Sequence, residues 1–458
     1  MSLRKTLLAL AIGACVASPA LAQESLLDVY ELAVQNDPAI REAEATYLAS
    51  SEVKPQARSQ LLPTLNLQNT LANRFSDTRG GAVSPEGVPI GTRSIFEQDS
   101  DGWSVSLSQT LFDWSLYATL RQADKRVLQA ETTYQAALQS LLIRVATAYF
   151  NVLTAEDNLA SAGATREARS RQLEQAQRRF EVGLIAITDV QQSQAGYDDA
   201  VAAEIETQRL LANAQEQLRE IVGELVPDLA SPTDQLPLLT PDPANAEEWV
   251  RVALDSNLAL RASRIAADIA QDDIAIQRGN RLPSLSLSAN YGEDSSDRTQ
   301  TVFRDGTPFT STTPQNPDSR QWSLNLTFPL FTGGRNRSLI QQSVYQHRAA
   351  LEALERTTRS TERQARDAYL GVITGISRVG ALRQAVESNR TALRATEAGF
   401  DVGTQTTVDV LQAQDNLQLA ETTYARSRYD YILSLLALKQ AAGTLSEADI
   451  MQVDSWLQ

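Results

Sequence analysis

The sequence predicts a mixed, mainly α fold made of two tandem structural repeats, each pairing long antiparallel helical hairpins with two strands, so four strands per chain. Three observations predict it: the chain matches itself when slid by 220 residues, it contains proline-free runs too long for a globular domain, and it holds four short stretches of strict apolar/polar alternation.

The duplication is exact enough to align by eye. Leu62-Pro63-Thr64-Leu65-Asn66-Leu67 matches Leu282-Pro283-Ser284-Leu285-Ser286-Leu287, and Phe180-Glu181-Val182-Gly183 matches Phe400-Asp401-Val402-Gly403. Asp189-Val190 matches Asp409-Val410, and Gly223 falls on Gly443 at the same spacing. Trp103 and Leu111-Phe112 pair with Trp322 and Leu330-Phe331 one residue short of it.

Ahead of the first repeat, residues 1–22 read as an export signal: Arg4 and Lys5, the apolar run Leu7 to Val16, then Ala20-Leu21-Ala22 as the cleavage site. A competing reading makes Ile12-Gly13-Ala14-Cys15 a lipoprotein site with Cys15 acylated. Cleavage after Ala22 changes the formal charge from −15 to −17 and leaves no cysteine. So acidic a chain has no electrostatic footprint for nucleic acid. One histidine and one cysteine remove most ligands for zinc sites, thiol chemistry and His-based triads, and no metal or cofactor is expected.

The first repeat is expected over 23–226, with strands near 63–72 and 103–112 and a helical hairpin over 114–226. The second is expected over 246–445, with strands near 283–291 and 321–331 and a hairpin over 335–445, followed by a C-terminal segment 446–458. Trp103, Val105 and Leu107 interleave with serines, as Trp322, Leu324 and Leu326 do with Ser323 and Asn325. One face is apolar, the other hydroxyl and amide, a pattern shared by soluble sandwiches and by barrels whose apolar face meets lipid. The stretches Asn73 to Asp101 and Gly292 to Arg320 read as loops. Beyond the leader no uninterrupted apolar run approaches the ~18 residues of a membrane-spanning helix, so a bilayer would be crossed by strands.

Gly91 to Val226 and Leu330 to Gln458 lack proline altogether. At ~1.5 Å per residue, Trp114 to Glu181 would run roughly 100 Å as helix. Leu120, Val127, Tyr134, Leu141 and Ala148 recur at sevens, with Leu138, Val145 and Val152 offset by four, a coiled-coil seam rich in small residues. An antiparallel coil and a closed ring of helices both explain it. Gly183 and Gly403 stand where glycine ends a helix, and Thr188 followed by Gln191 has capping-box spacing for the return helix. Residues 227–245 form a proline-rich linker, expected to wrap outside the helices.

Four strands cannot close a transmembrane barrel, which needs at least about eight, and hydrocarbon does not tolerate open edges. Several chains must therefore share one barrel: two would give eight strands and three twelve, three also leaving a lumen wide enough to conduct.

The duplicated bends, Phe180 to Val190 and Phe400 to Leu411, together with Ala441-Ala442-Gly443-Thr444-Leu445, resemble the TolC family of outer-membrane channel-tunnels over nearly the whole mature chain. The resemblance implies a homotrimer with a 12-stranded β-barrel in outer-membrane lipid of a Gram-negative bacterium and a helical barrel extending through the periplasm. It implies a passive exit duct for tripartite drug efflux or type I protein secretion, without catalysis. Its partners would be a periplasmic adaptor and an inner-membrane RND or ABC transporter.

Residue by residue, the resemblance makes Thr188 and Asp189 acceptors of a periplasmic latch. Their partners differ here: Phe400 and Gln405 stand where relatives have tyrosine and arginine, so a looser resting tip is expected, with the Gln405 amide left to reach Asp189 or Thr188. Asp409 matches an aspartate ring at the pore constriction, while Gln412 stands where a second ring would be, and Asp415 lies about 240° further round the helix. Taken alone, Asp409 also reads as a first-turn acid complementing the helix dipole. Val182, Gly183, Leu184, Val402, Gly403 and Thr404 become the adaptor-docking tips. A soluble periplasmic coiled-coil adaptor is the alternative, but it leaves the four alternating segments without a role. An exported hydrolase would need a convergent catalytic set, and the acids instead scatter over helix faces.

Overall fold

The computed structural model describes residues 23–83, 87, 89–233, 236–304 and 307–457. The export signal and Cys15 lie outside them. In chain order the elements are α1 (Leu26–Asn36), α2 (Pro38–Ser51), α3 (Val53–Ser59), β1 (Thr64–Val83), β2 (Pro89–Phe112), α4 (Trp114–Glu181) and α5 (Ile187–Val222). The second repeat supplies α6 (Ala246–Ser256), α7 (Leu258–Gly279), β3 (Ser284–Arg304), β4 (Thr307–Gln315), β5 (Asp318–Thr327), α8 (Arg335–Asp401), α9 (Thr407–Ala442) and α10 (Glu447–Asp454). The short helix pair before each strand differs between copies. Where α7 is continuous, the first copy breaks between α2 and α3, because Pro55 lacks an N–H and crowds the preceding turn.

Chain contacts group into two compact units that cut across the repeats: Met1–Ala45, Thr133–Arg261 and Thr357–Gln458 in one, Thr46–Thr132 and Ala262–Arg356 in the other.

The second unit holds an antiparallel sheet, ordered β1-β2-β3 with β4 and β5 both paired to β3. Ser296 faces Gln315 and Glu293 faces Asp318, so the register runs unbroken across Asn316-Pro317. These two are one strand interrupted where Pro317 cannot donate to the ladder, and among the described residues the count remains four. Among the described residues, β1 and the β4/β5 strand each pair on one side only.

The strands are longer than the sequence suggested. Residues 73–101 and 292–320, read as loops, are mostly ladder: Asn73 pairs with Asp99, and Ser94 with Val302. Alternation fails there because both faces are polar, which hides a strand from a periodicity search without preventing backbone pairing. At the other end β5 stops at Thr327, short of the expected 331, because Pro329 follows.

In the first unit the core lies where α1, α5, α9 and α10 pack on the middle of α4. Leu141, Val145, Tyr149 and Phe150 of α4 meet Leu26, Leu218, Val222, Ile432, Leu436 and Ile450. One 18-residue stretch of α4 is apolar enough to cross a membrane, yet half of it is buried inside the protein, as a core helix requires. Buried tyrosines clamp the linker onto this core. The Tyr149 hydroxyl donates to the Ala230 carbonyl at 2.6 Å, and that of Tyr431 donates to the Leu239 carbonyl at 2.9 Å while accepting from its N–H at 2.8 Å. Burial pushes both hydroxyls above the ordinary tyrosine range, so they stay protonated donors.

Candidate functional site: pore wall and hairpin tips

The sheet has two chemically opposite faces. On one, Leu65, Leu67 and Leu71 of β1 share a side with Val105 and Leu107, with Leu285 and Leu287, and with Leu324 and Leu326. Leu71 is 77% exposed and Trp322 likewise 77%, a contiguous apolar surface too large for contact with water. On the other face the corresponding rows read Asn66, Ser106, Asn290, Gln321 and Gln68, Ser104, Gly292, Ser319.

The apolar band ends on Leu71, Trp103, Tyr291 and Trp322, stepping back one two-residue pleat with each strand crossed. A boundary inclined to the strands is what a flat membrane surface draws across tilted ones. Trp103 and Tyr291 meet edge to face at 5.5 Å, and the Arg320 guanidinium covers the Tyr291 ring at 5.4 Å, an interfacial aromatic girdle. Phe112, Phe328 and Phe331 mark the end nearer the helices, all exposed. Phe112 to Trp103 spans about 30 Å along the strand, or about 23 Å of height at a ~40° tilt, close to the ~25 Å of a barrel's apolar belt.

In the first unit, the two hairpin bends are nearly identical turns. Gly183 and Gly403 adopt φ of +73° and +78°, which a side chain would strain. The N–H groups of Leu184 and Thr404 donate to the Arg179 and Gly399 carbonyls at 2.9 and 2.8 Å, closing each helix end. Val182, Leu184 and Val402 project from the turns, Val402 being 75% exposed.

The helix starts differ. In the second copy Thr406 and Asp409 form a complete capping box: the Thr406 N–H and hydroxyl both donate to Asp409 Oδ2, at 2.8 and 2.7 Å, and the Asp409 N–H donates to Thr406 Oγ1 at 3.3 Å. The hydroxyl first and the backbone N–H second hold the Asp409 carboxyl below its usual range. In the first copy Ala186 has no side-chain oxygen, so the Asp189 N–H donates to the Ala186 carbonyl at 3.1 Å, and the return bond runs from the Ala186 N–H to Asp189 Oδ2 at 3.2 Å. The expected Thr188 to Gln191 box is therefore displaced: Ile187 is already helical, which moves the cap back to Ala186 and leaves Thr188 exposed in the first turn. Gln412 donates to Asn416 on its own helix at 3.2 Å.

The two hairpins touch through Phe400, a sequence-predicted latch residue, and through Arg179 and Asp401, which the sequence did not single out. The Arg179 guanidinium, near the end of α4, donates to Asp401 Oδ1 at 3.0 Å and lies 4.8 Å from the Phe400 ring centre. Phe400 thus serves as a cation–π partner of Arg179. Gln405 packs against Gly399 within its own bend, and among the described residues its amide makes no hydrogen bond to Asp189 or Thr188.

Deeper in the first unit, buried Arg169 of α4 donates to Asp415 Oδ1 of α9 at 2.5 Å and to the Leu411 carbonyl at 3.3 Å. It passes over α5 at Gly196, where a Cβ would stand 2.9 Å from Arg169 Nη1. A cleft of about 220 Å³ adjoins it, lined by Gly196, Asp199 and Asp415 among others. Around this link most buried residues are small or polar, including Ala162, Ala176, Ser193 and Ala200, with Val190, Val410 and Leu411 the larger apolar side chains. His347 is half-buried on α8, and among the described residues no cluster of His, Cys, Asp and Glu is arranged to hold a metal.

The sequence model of the outer membrane efflux protein family matches residues 29–224 and 249–444, one segment per repeat. Outer membrane protein TolC of Vibrio cholerae serotype O1 is 38% identical over 458 residues, covering 99% of both chains. Alkaline protease secretion protein AprF of Pseudomonas aeruginosa is 28% identical over 431 residues, covering 93% of this chain and 85% of that one. Among solved structures, outer membrane protein VceC of Vibrio cholerae superposes with a TM-score of 0.70 at 20% identity, covering 91% of this chain and 96% of the other. With both halves matched by one family model and near-complete coverage of a relative above a third identical, this chain belongs to the outer membrane efflux protein family.

Proposed function

We propose that three copies of this chain form one outer-membrane duct for efflux or type I secretion, in which each chain supplies four strands to a twelve-stranded barrel. The carrying observation is the sheet with a lipid-type face, a wet face and two open edges. Unpaired edges cost several kcal/mol per buried backbone group in hydrocarbon, and pairing β1 of one copy with the β4/β5 edge of the next removes every one. The relatives' names, protease secretion among them, support an export role.

On this reading the duct is passive. A periplasmic adaptor grips the exposed bends around Val182, Gly183, Leu184, Val402, Gly403 and Thr404, and an inner-membrane RND or ABC pump supplies the energy. Three Asp409 carboxylates narrow the periplasmic mouth, with Gln412 one turn further along contributing no second charge. The resting tip is closed by Arg179 on Phe400 and Asp401, assisted by Arg169 on Asp415; Thr188, Asp189 and Gln405 border this contact. Opening requires those polar links to part, and the nearby structure contains little apolar packing that would also have to break.

Purified protein reconstituted in planar bilayers tests the proposal. Discrete conductance steps from material that cross-links as a trimer are expected. A water-soluble monomer without conductance would overturn it and favour the soluble adaptor.

A further inference from the structure

The wet face of the sheet changes character toward the hairpin ends of the strands. From the helix-joined end upward its rows contain Ser, Thr, Asn, Gln and Gly, and the first charge met is Asp294, opposite Gly102. Two rows beyond, Arg74 pairs with Gln98, Gln98 with Arg298, and Arg298 with Thr313. The rows on either side carry no charge: Ala72, Ser100, Ser296 and Gln315 below, Ser76, Phe96, Gln300 and Ser311 above. The same heights on the lipid-type side carry Asp77, Glu97, Asp99, Asp101 and Asp297, and the arginines one row above them, Arg79 and Arg93, both pair with Asp77. At these heights the arginines without an acidic partner lie on the wet face, an arrangement that suits a lumen meeting charged solutes.

The geometry points to a binding site for multivalent anions at the outer end of the lumen, built from Arg74, Gln98 and Arg298. This inference rests on the barrel reading above. One strand, β2, lies between the arginines, so two inter-strand spacings put their backbones about 10 Å apart, and each guanidinium can swing several ångströms toward Gln98 between them. Arg298 stacks on Phe96 at 5.3 Å, a contact that holds the guanidinium plane while leaving its in-plane N–H donors directed outward. Among the described residues neither arginine is in an ion pair, and on this face Asp294 lies about 13 Å along the strand from Arg298. Two paired guanidiniums flanking an amide suit phosphate oxygens, which accept bidentate hydrogen bonds from arginine. Because strands tilt in a barrel, three copies would make a slanted belt of six guanidiniums.

The test uses inorganic tripolyphosphate on single channels of the full-length protein in planar bilayers. Addition to the side bearing the strand hairpins should block current, and addition to the opposite side should block at least tenfold less well. Combining Arg74→Gln with Arg298→Gln should weaken that block at least tenfold, whereas Arg74→Lys with Arg298→Lys should retain most of it, showing that the variants assemble. Normal conductance without side-dependent block, or block unchanged in the double Gln variant, would overturn the anion site alone. Failure of wild-type protein to conduct would overturn the channel reading and the site with it.

Discussion

Arg179 and Asp401, 222 residues apart in sequence, are bonded at 3.0 Å, and the same guanidinium lies 4.8 Å from the ring of the neighbouring Phe400. One cation thus takes two partners on the opposing hairpin. Asp401 is 64% exposed, so the ion pair contributes at most about 1 kcal/mol, with a similar cation–π contribution.

Replacing Arg179 with Gln should therefore raise the open probability of the resting channel about fivefold, the equivalent of about 1 kcal/mol. Asp401→Asn should have a smaller effect in the same direction, because it leaves the Phe400 contact. The double variant should open no more readily than Arg179→Gln alone, since both remove one link. Single-channel recordings decide this, and additive effects would mean the two residues act separately.

Gly196→Val should displace Arg169, whose guanidinium occupies the space a side chain would take. Loss of the Asp415 bond should then expose the start of α9 to faster amide hydrogen exchange, concentrated between 407 and 415. Arg169→Ala should give the same pattern. Exchange over 432–438, in the apolar core, should stay slow in both.

Asp409 yields a pH prediction. Its folded pKa is lowered by Thr406, so the capping box contributes fully above the ordinary value of 3.8 and is lost as pH falls through the lowered value. Block by multivalent cations at the periplasmic side should persist at pH 5 and disappear only below about 4. Asp409→Asn should abolish the block, while Thr406→Val should shift its loss to higher pH by removing the hydroxyl that favours the carboxylate. An unchanged block in Asp409→Asn would remove this residue from the constriction.

Neighbouring β1 residues should respond oppositely to the same substitution. Leu67→Arg places a charge on the lipid-type face at a cost of roughly 2–4 kcal/mol near mid-membrane and should lower the yield of membrane-inserted trimer. Gln68→Arg falls on the wet face and should insert normally while altering ion selectivity. Heat-modifiable mobility of membrane fractions measures insertion for both.

Much of the fold was readable before the structure because its periodicities are uninterrupted: Leu65, Leu67 and Leu71 alternate, and Leu141, Ala148 and their relatives recur at sevens. The outer halves of the strands were not readable, since Asn73-Arg74-Phe75-Ser76 lies between two wet faces and has no pattern to detect. The bends were recognisable from their duplicated glycines, but their linkage was not. Phe400 and Gln405 led to the expectation of a looser tip, whereas the two hairpins meet at Arg179 and Asp401, whose pairing depends on distant helices meeting. Asp415 faces away from the Asp409 side of α9 and found its partner in Arg169. The one signal that could have revealed this pair is Gly196, a glycine inside a helix that needs no kink there.

The scarcity of large apolar side chains around Arg169 affects how the mouth responds to temperature. Separating helices there uncovers few large apolar side chains beyond Val190, Val410 and Leu411, so opening should involve only a small change in heat capacity. A van't Hoff plot of the open–closed equilibrium should then be close to a straight line, its slope set by the enthalpy of parting the Arg169–Asp415 and Arg179–Asp401 links.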